Sequence, residues 1–260
     1  MNNPDSDLLQ LLKSAPERIG WDFSRIKDDV EPRPWDYLSI VKAWLSKSDH
    51  VLDLDTGGGE KFIALADCYK SGFATDSSAE QIQVCNQNLA VSLRNNIQFV
   101  QSDARKLTAF DDASFDKVIN RHGAFSLAEA YRVLKPGGIF ITQQVGEKNT
   151  LNVYGAFGYS DATAYWRSRD VETETWSSIV EGLIKSDFEV VAKGEYNLDY
   201  YFLGNESFIF WLKAIEIPYP FEPEQHVEII KKFIAENQTE RGIKTNEQRH
   251  LLILRKPRHN

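Results

Sequence analysis

Two cysteines and one methionine in 260 residues leave little for a covalent framework. Small secreted folds rely on dense disulfide bridging, whereas a chain of this length can bury a full core without it. Cys68 and Cys85 both fall in predicted helices and read as small buried hydrophobes of a reducing cytosol. The sequence also lacks an apolar run of the ~18 residues that would cross a bilayer. Its first 17 residues hold acids and a short leucine run over 8–12, so no leader peptide and a cytoplasmic location are expected. There is no surplus of basic charge: 30 Lys and Arg stand against 38 Asp and Glu, a net charge of −8. This disfavours nucleic acid as the partner, and the short basic strip over 254–259 reads as a solvated tail. The five histidines are scattered, with no pair at helical or hairpin spacing, so no metal is expected. Paired carboxylates and a Ser/His/Asp arrangement are lacking as well, as are internal repeats and low-complexity tracts.

What is present is an alternation of strands and helices. Strands are predicted over 51–55, 72–76, 97–101, 115–120 and 139–144. Helices are predicted over 60–69, 78–93 and 126–134, the last stopped by Lys135-Pro-Gly-Gly138. Two further helices, 5–14 and 34–45, precede the first strand. Such alternation specifies an α/β fold with a doubly wound parallel sheet. After residue 145 the rhythm loosens. Residues 147–170 show no clear period; helices follow over 172–185, 206–215 and 223–237, with strands over 188–191, extending toward 196, and 248–255. Roughly half of all aromatics lie between Tyr154 and Tyr219, which implies a second small core, a substrate pocket, or both.

The stretch Val51-Leu-Asp-Leu-Asp-Thr-Gly-Gly-Gly-Glu60 runs from a buried strand through three glycines into a helix. Glycine lets backbone approach a ligand closely, and a helix start offers unpaired N–H groups. A dinucleotide fingerprint fails here, because Phe62 stands where a third glycine must allow tight helix packing. A phosphate loop fails for want of a following Gly-Lys-Ser/Thr. Asp76 lies about twenty residues beyond the turn, the distance at which an acid binds a ribose diol. It could equally cap the helix that follows, and the two roles are compatible. Asp103 has the same two readings, ligand or loop acid.

Four segments, in this order and spacing, resemble the class I S-adenosylmethionine-dependent methyltransferases: residues 51–59, Phe73-Ala-Thr-Asp76, Phe99-Val-Gln-Ser-Asp-Ala104, and the helix–turn–strand over 128–141. Asn120-Arg-His122 with Thr142-Gln-Gln-Val-Gly146 further resembles a bacterial subgroup of that family. The resemblance implies a Rossmann-like seven-stranded mixed sheet of order 3-2-1-4-5-7-6 with an antiparallel last strand. It implies one domain over 1–260: a helical cap over 1–49, a cofactor half over 50–145, and a substrate half over 146–260 with a helical insertion near 206–237. S-adenosylmethionine is the implied cofactor, held by Asp53, Asp55, Thr56, Gly57, Gly58, Gly59, Asp76, Ser77, Asp103, Ala104 and Asn120. The family has glycine where this chain has Asp55. Its side chain should project toward the methionine half of the cofactor, so that the backbone shifts, the carboxylate meets the cofactor ammonium, or binding weakens.

Methyl transfer from a sulfonium is an in-line displacement in which alignment and exclusion of water carry much of the rate. A base is needed only if the nucleophile keeps its proton. His122, at the end of the fourth predicted strand, is the candidate, with orientation of backbone or cofactor as its alternative role. Trp35, Tyr154, Phe157 and Trp211 are the candidate contacts to a small-molecule acceptor. An RNA methyltransferase and a non-catalytic binder that keeps the fold are the other readings. The sequence leaves oligomeric state open.

Overall fold

The computed structural model describes residues 4–18, 20–169 and 175–258. They form two compact units: one made of residues 34–145, 175–195 and 249–258, the other of residues 4–18, 20–33, 146–169 and 196–248.

In chain order the strands are β1 (Asp28–Val30), β2 (His50–Leu54), β3 (Ser71–Asp76), β4 (Ile97–Gln101), β5 (Phe115–Arg121), β6 (Leu134–Val145), β7 (Glu189–Phe202), β8 (Gln238–Thr239) and β9 (Gly242–Arg255). The helices are α1 (Pro4–Ser14), α2 (Tyr37–Trp44), α3 (Glu60–Ala64), α4 (Ala79–Ser92), α5 (Leu127–Val133), α6 (Leu151–Ala156), α7 (Ala162–Ser168), α8 (Trp176–Ile184), α9 (Asn205–Ile215) and α10 (Pro223–Asn237).

Among the described residues the sheet has nine strands in the order β1-β7-β9-β6-β5-β2-β3-β4, with β8 paired to β9. This differs from the expected seven-stranded order. The two additional strands have physical causes that hydrophobic alternation does not reveal. β1 is three residues long and only partly buried, and it pairs antiparallel with β7 through Asp28↔Phe202 and Val30↔Tyr200. β8 is a two-residue hairpin arm against Ile243 and Gly242. β2 pairs in parallel with both β3 and β5, and β9 runs antiparallel to β6.

In the larger unit the parallel strands are apolar on both faces, as burial on both sides of a sheet demands. One layer packs Leu52, Leu54, Phe115, Val118, Phe125 and Phe140; the other packs Val51, Phe62, Ala74, Ile119, Ile141 and Ile253. The predicted helix over 60–69 is shorter than expected: α3 ends at Ala64 and a 3₁₀ turn over Ala66–Cys68 follows. Phe62 explains the fit, since its ring meets the backbone of Gly72, where an added Cβ would lie 2.4 Å from it. Asp36, rather than Pro34, starts the second helix, accepting from the Ser39 N–H at 2.8 Å.

The smaller unit gathers α1, α6, α7, α9 and α10 around Leu12, Tyr154, Tyr165, Phe202, Phe208, Leu212 and Phe233. The stretch over 147–170 that showed no period holds two helices of six and seven residues. Each is too short to display 3.6-residue periodicity. The start of the helix expected over 172–185 lies outside the described residues; α8 begins at Trp176 behind a Thr175 capping box.

Candidate functional site

The glycine turn is fixed by backbone conformation first. Gly57 (φ +62°) and Gly59 (φ +76°) occupy the left-handed region, where other residues are strained. A Cβ on Gly59 would lie 2.8 Å from the Phe99 ring and 3.2 Å from Cys85 Sγ, so β4 and α4 close over the turn. Thr56 N–H donates to Thr75 O at 2.8 Å, and Cys85 Sγ–H donates to Gly57 O at 2.9 Å. Gly58 O accepts from Asn88 Nδ2 at 2.9 Å. The carbonyls of the turn are thereby tied back to the scaffold.

Carboxylates surround this turn. Asp76, at the end of β3, accepts from the Gly57 N–H and the Ser78 N–H, each at 2.9 Å and each on a different oxygen. Every carboxylate oxygen has a second lone pair, so a diol can still be bound. Ser78 is the N-cap of α4; Ser77 is exposed, and its carbonyl accepts from Gln101 Nε2 at 3.1 Å. Ser102 N–H donates to Asp76 O, placing the exposed Asp103 and the buried Ala104 just beyond Asp76. Asp103 Oδ1 accepts from the Arg105 N–H at 2.8 Å. Asp53 is 9% exposed and accepts from the Thr56 hydroxyl at 2.6 Å. Burial pushes its carboxyl up to about 7, and Asp55 and Asp76 add like-charge repulsion.

Asp55 does not point where the sequence suggested. It takes the left-handed conformation (φ +57°) that glycine adopts without strain. Its side chain folds onto the loop after β5, where Oδ2 accepts from the Ala124 N–H at 2.9 Å. Gly123 makes room: a Cβ there would lie 2.5 Å from Asp55 Cβ. The carboxylate therefore binds one loop to another instead of entering the space expected for the methionine half. Burial raises its pKa, the Ala124 N–H lowers it, and Asp76 raises it again.

Asn120 is also committed internally. It is fully buried; Nδ2 donates to Leu54 O at 2.9 Å and to Ala124 O at 3.3 Å, while Oδ1 accepts from Thr142 Oγ1 and Gln144 Nε2. Both amide hydrogens are used, so it is a strut between β2, β5 and β6 and has no donor left for a ligand.

His122 follows β5 in the left-handed region (φ +62°), its N–H donating to Gln143 O at 2.8 Å. Its Nε2 lies 2.9 Å from Gln143 Nε2, and Gln143 Oε1 accepts from Trp35 Nε1 at 2.8 Å. Burial, then Arg249, Arg121 and Lys61, depress the pKa of the ring well below the usual histidine range. The role of Gln143 was missed from the sequence. Its signal was the polar run Thr142-Gln-Gln144 closing an apolar strand. Of the other expected substrate contacts, Tyr154, Phe157 and Trp211 pack in or against the smaller unit's core, and Trp35 packs in the larger unit. Packing accounts for the first three. A groove of about 660 Å³ runs along α4, lined by Ala79, Ile82, Gln83, Asn86, Gln87, Ala90 and Gln101, and contains none of these site residues.

A family model described as a methyltransferase domain matches residues 45–187, more than half of the chain. The chain belongs to this methyltransferase family. Its cofactor is therefore S-adenosylmethionine. The turn fits that group: left-handed glycines at 57 and 59 allow close approach, and the carboxyl groups of Asp53 and Asp76 lie at the turn. The methyltransferase is similar to a ubiquinone/menaquinone biosynthesis C-methyltransferase, UbiE, of Brucella anthropi, with 29% identity over 161 residues, 55% of this chain and 61% of that protein. The UbiE of a Bradyrhizobium species is 31% identical over 168 residues, 58% of this chain and 66% of its own length. The match thus spans less than two thirds of either relative. Among solved structures, a putative methyltransferase from Bacillus halodurans superposes with a TM-score of 0.60 at 22% identity, covering 85% of this chain and 97% of that one. The [4+2]-cyclase SpnF gives a TM-score of 0.58 at 17% identity, covering 85% and 81%. At such identities the likeness is one of fold, and a fold alone does not fix the reaction.

Among the described residues no helix is long and apolar enough to cross a membrane, and no group of three metal-ligating side chains occurs.

Proposed function

We propose that this methyltransferase moves the methyl group of S-adenosylmethionine to a small aromatic acceptor of the quinol class. The observation that carries the reading is the acid-lined glycine turn lying inside the matched methyltransferase domain. The relatives' printed roles in ubiquinone and menaquinone methylation support the substrate class. In this reading Asp76 binds the ribose diol through charge-assisted hydrogen bonds. Asp103 and Ala104 border the adenine, backbone over 56–59 meets the methionine end, and Asp53 lends charge to the sulfonium side. Asp55 shapes the site through Ala124. When bound, the cofactor would supply an activated methyl group to an acceptor carbon or oxygen, with S-adenosylhomocysteine as leaving group and the acceptor's proton released to solvent.

The one-domain arrangement over 1–260 and the cytoplasmic location belong to this proposal. The net charge of −8 runs against an RNA acceptor. The non-catalytic alternative rested on Asp55 obstructing the cofactor, and the bond to Ala124 takes away that motive. The test is transfer of radiolabelled methyl from S-adenosylmethionine to short-chain demethylmenaquinol and to simple naphthoquinols. Label in an organic-extractable product supports the reading. Cofactor binding without label in any quinol would remove the substrate class while leaving the family intact.

A further inference from the structure

The Trp35–Gln143–His122 chain has a fixed direction. Indole nitrogen only donates, so Gln143 must turn its oxygen toward Trp35 Nε1, at 2.8 Å. That leaves the amide NH₂ facing His122 Nε2 at 2.9 Å, and an NH₂ can only donate. His122 Nε2 is therefore the acceptor and carries no proton. The ring's single proton sits on Nδ1. The backbone supports the arrangement, since His122 N–H donates to the carbonyl of the same Gln143.

We propose that Trp35 and Gln143 are positioning residues that hold His122 as the Nδ1–H tautomer, so that its ring donates a hydrogen bond to an oxygen of the methyl acceptor instead of removing a proton from it. The role deepens the methyl-transfer reading and rests on it. A base would need an open Nε2, and here that atom is engaged by a donor. Protonating it would set an N–H against the NH₂ of Gln143. The charges facing the ring, Arg121 beside it, Lys61 on α3 and Arg249 on β9, all oppose a second proton. The same cations favour an acceptor oxygen bearing negative charge, such as a phenolate, which a neutral N–H donor can hold while the methyl is transferred. An acceptor that arrives already ionised needs no base from the protein.

The test has two arms. Histidine-labelled ¹⁵N NMR of the full chain should show His122 as the neutral Nδ1–H tautomer from pH 6 to 8. Trp35→Phe frees Gln143 to turn over and should give a tautomer mixture. Gln143→Glu replaces the donor with an acceptor and should bring His122 to its doubly protonated form at neutral pH. A wild-type ring protonated on Nε2, or one titrating at the ordinary histidine value, would overturn the proposal. This arm uses no substrate, so its failure is separate from failure of the methyl-transfer reading. The second arm is kinetic. His122→Asn keeps an N–H at the Nδ1 position, has no basicity, and suits the left-handed backbone. His122→Asn should lose less kcat than His122→Ala, which should fall about 10- to 100-fold, the range of a hydrogen bond to a charged group. His122→Asn as inactive as His122→Ala would restore the general-base role and end this one.

Discussion

The ends of β2 and β5 lie side by side, joined by the Asp55–Ala124 bond, yet differ in the charges around them. The end of β2 offers Asp53 and then Asp55, and β3 offers Asp76, with burial and neighbouring carboxylates raising the first two. The end of β5 offers Arg121 and then a neutral His122, with Lys61 on α3 and Arg249 on β9 nearby. An acidic side suits a sulfonium donor and a basic side suits an oxygen-centred acceptor. The contrast teaches that a protein with a net charge of −8 can still gather cations around one histidine, so the bulk charge speaks only to large partners.

The acidic loop is most severely broken through its backbone. Gly59→Ala places a Cβ against Phe99 and forces alanine to φ +76°, so a loss of roughly 2–4 kcal/mol in stability is expected by chemical denaturation, combining left-handed strain with overpacking. Next in size, Asp76→Ala removes the ribose partner and should weaken S-adenosylmethionine binding by about 1.5–3 kcal/mol by titration calorimetry. Unchanged affinity would mean that the ribose is bound elsewhere. Melting curves should also fall, because the Gly57 and Ser78 N–H groups lose their acceptor.

Asp53 sharpens the contrast through pH. Its carboxyl, at about 7 in the fold and ~3.9 in an unfolded chain, binds its proton more tightly when folded. Stability of the cofactor-free protein therefore falls as pH rises between those values. Asp53→Asn should abolish that slope and stabilise the protein at pH 8 by roughly 1–3 kcal/mol, read from denaturant midpoints. The smallest effect is expected from Asp55→Gly, which restores the family's usual residue. Relief of ~1 kcal/mol of left-handed strain roughly offsets loss of a ~1 kcal/mol hydrogen bond to Ala124, so stability should change by less than about 1 kcal/mol. Cofactor affinity should hold within about threefold, since the carboxylate faces the other loop.

The acidic loop was largely legible in the sequence, and the reason is local. Gly57, Gly59 and Asp76 act through backbone conformation and through spacing along a strand–turn–helix, which a linear reading captures. The direction of Asp55 was not legible, because it depends on Gly123, 68 positions away in the chain and adjacent only once β2 and β5 pair. The internal bonding of Asn120 was not legible for a similar reason: its Thr142 and Gln144 partners come from β6, brought alongside β5 by the sheet. The parallel core announced itself by continuous apolar strands. By contrast, β1 and β8 are too short to carry a pattern, and α6 and α7 too short to complete one.

Calorimetric titration with S-adenosylmethionine and S-adenosylhomocysteine between pH 6 and 8 tests the acidic side most directly. A cation beside Asp53 favours its ionised form, so S-adenosylmethionine should bind more tightly as pH rises through about 7, releasing a proton on binding. S-adenosylhomocysteine lacks the sulfonium charge and should respond less. No heat from either ligand with folded protein, or identical pH responses from both, would contradict a carboxylate-lined sulfonium site at the turn after β2.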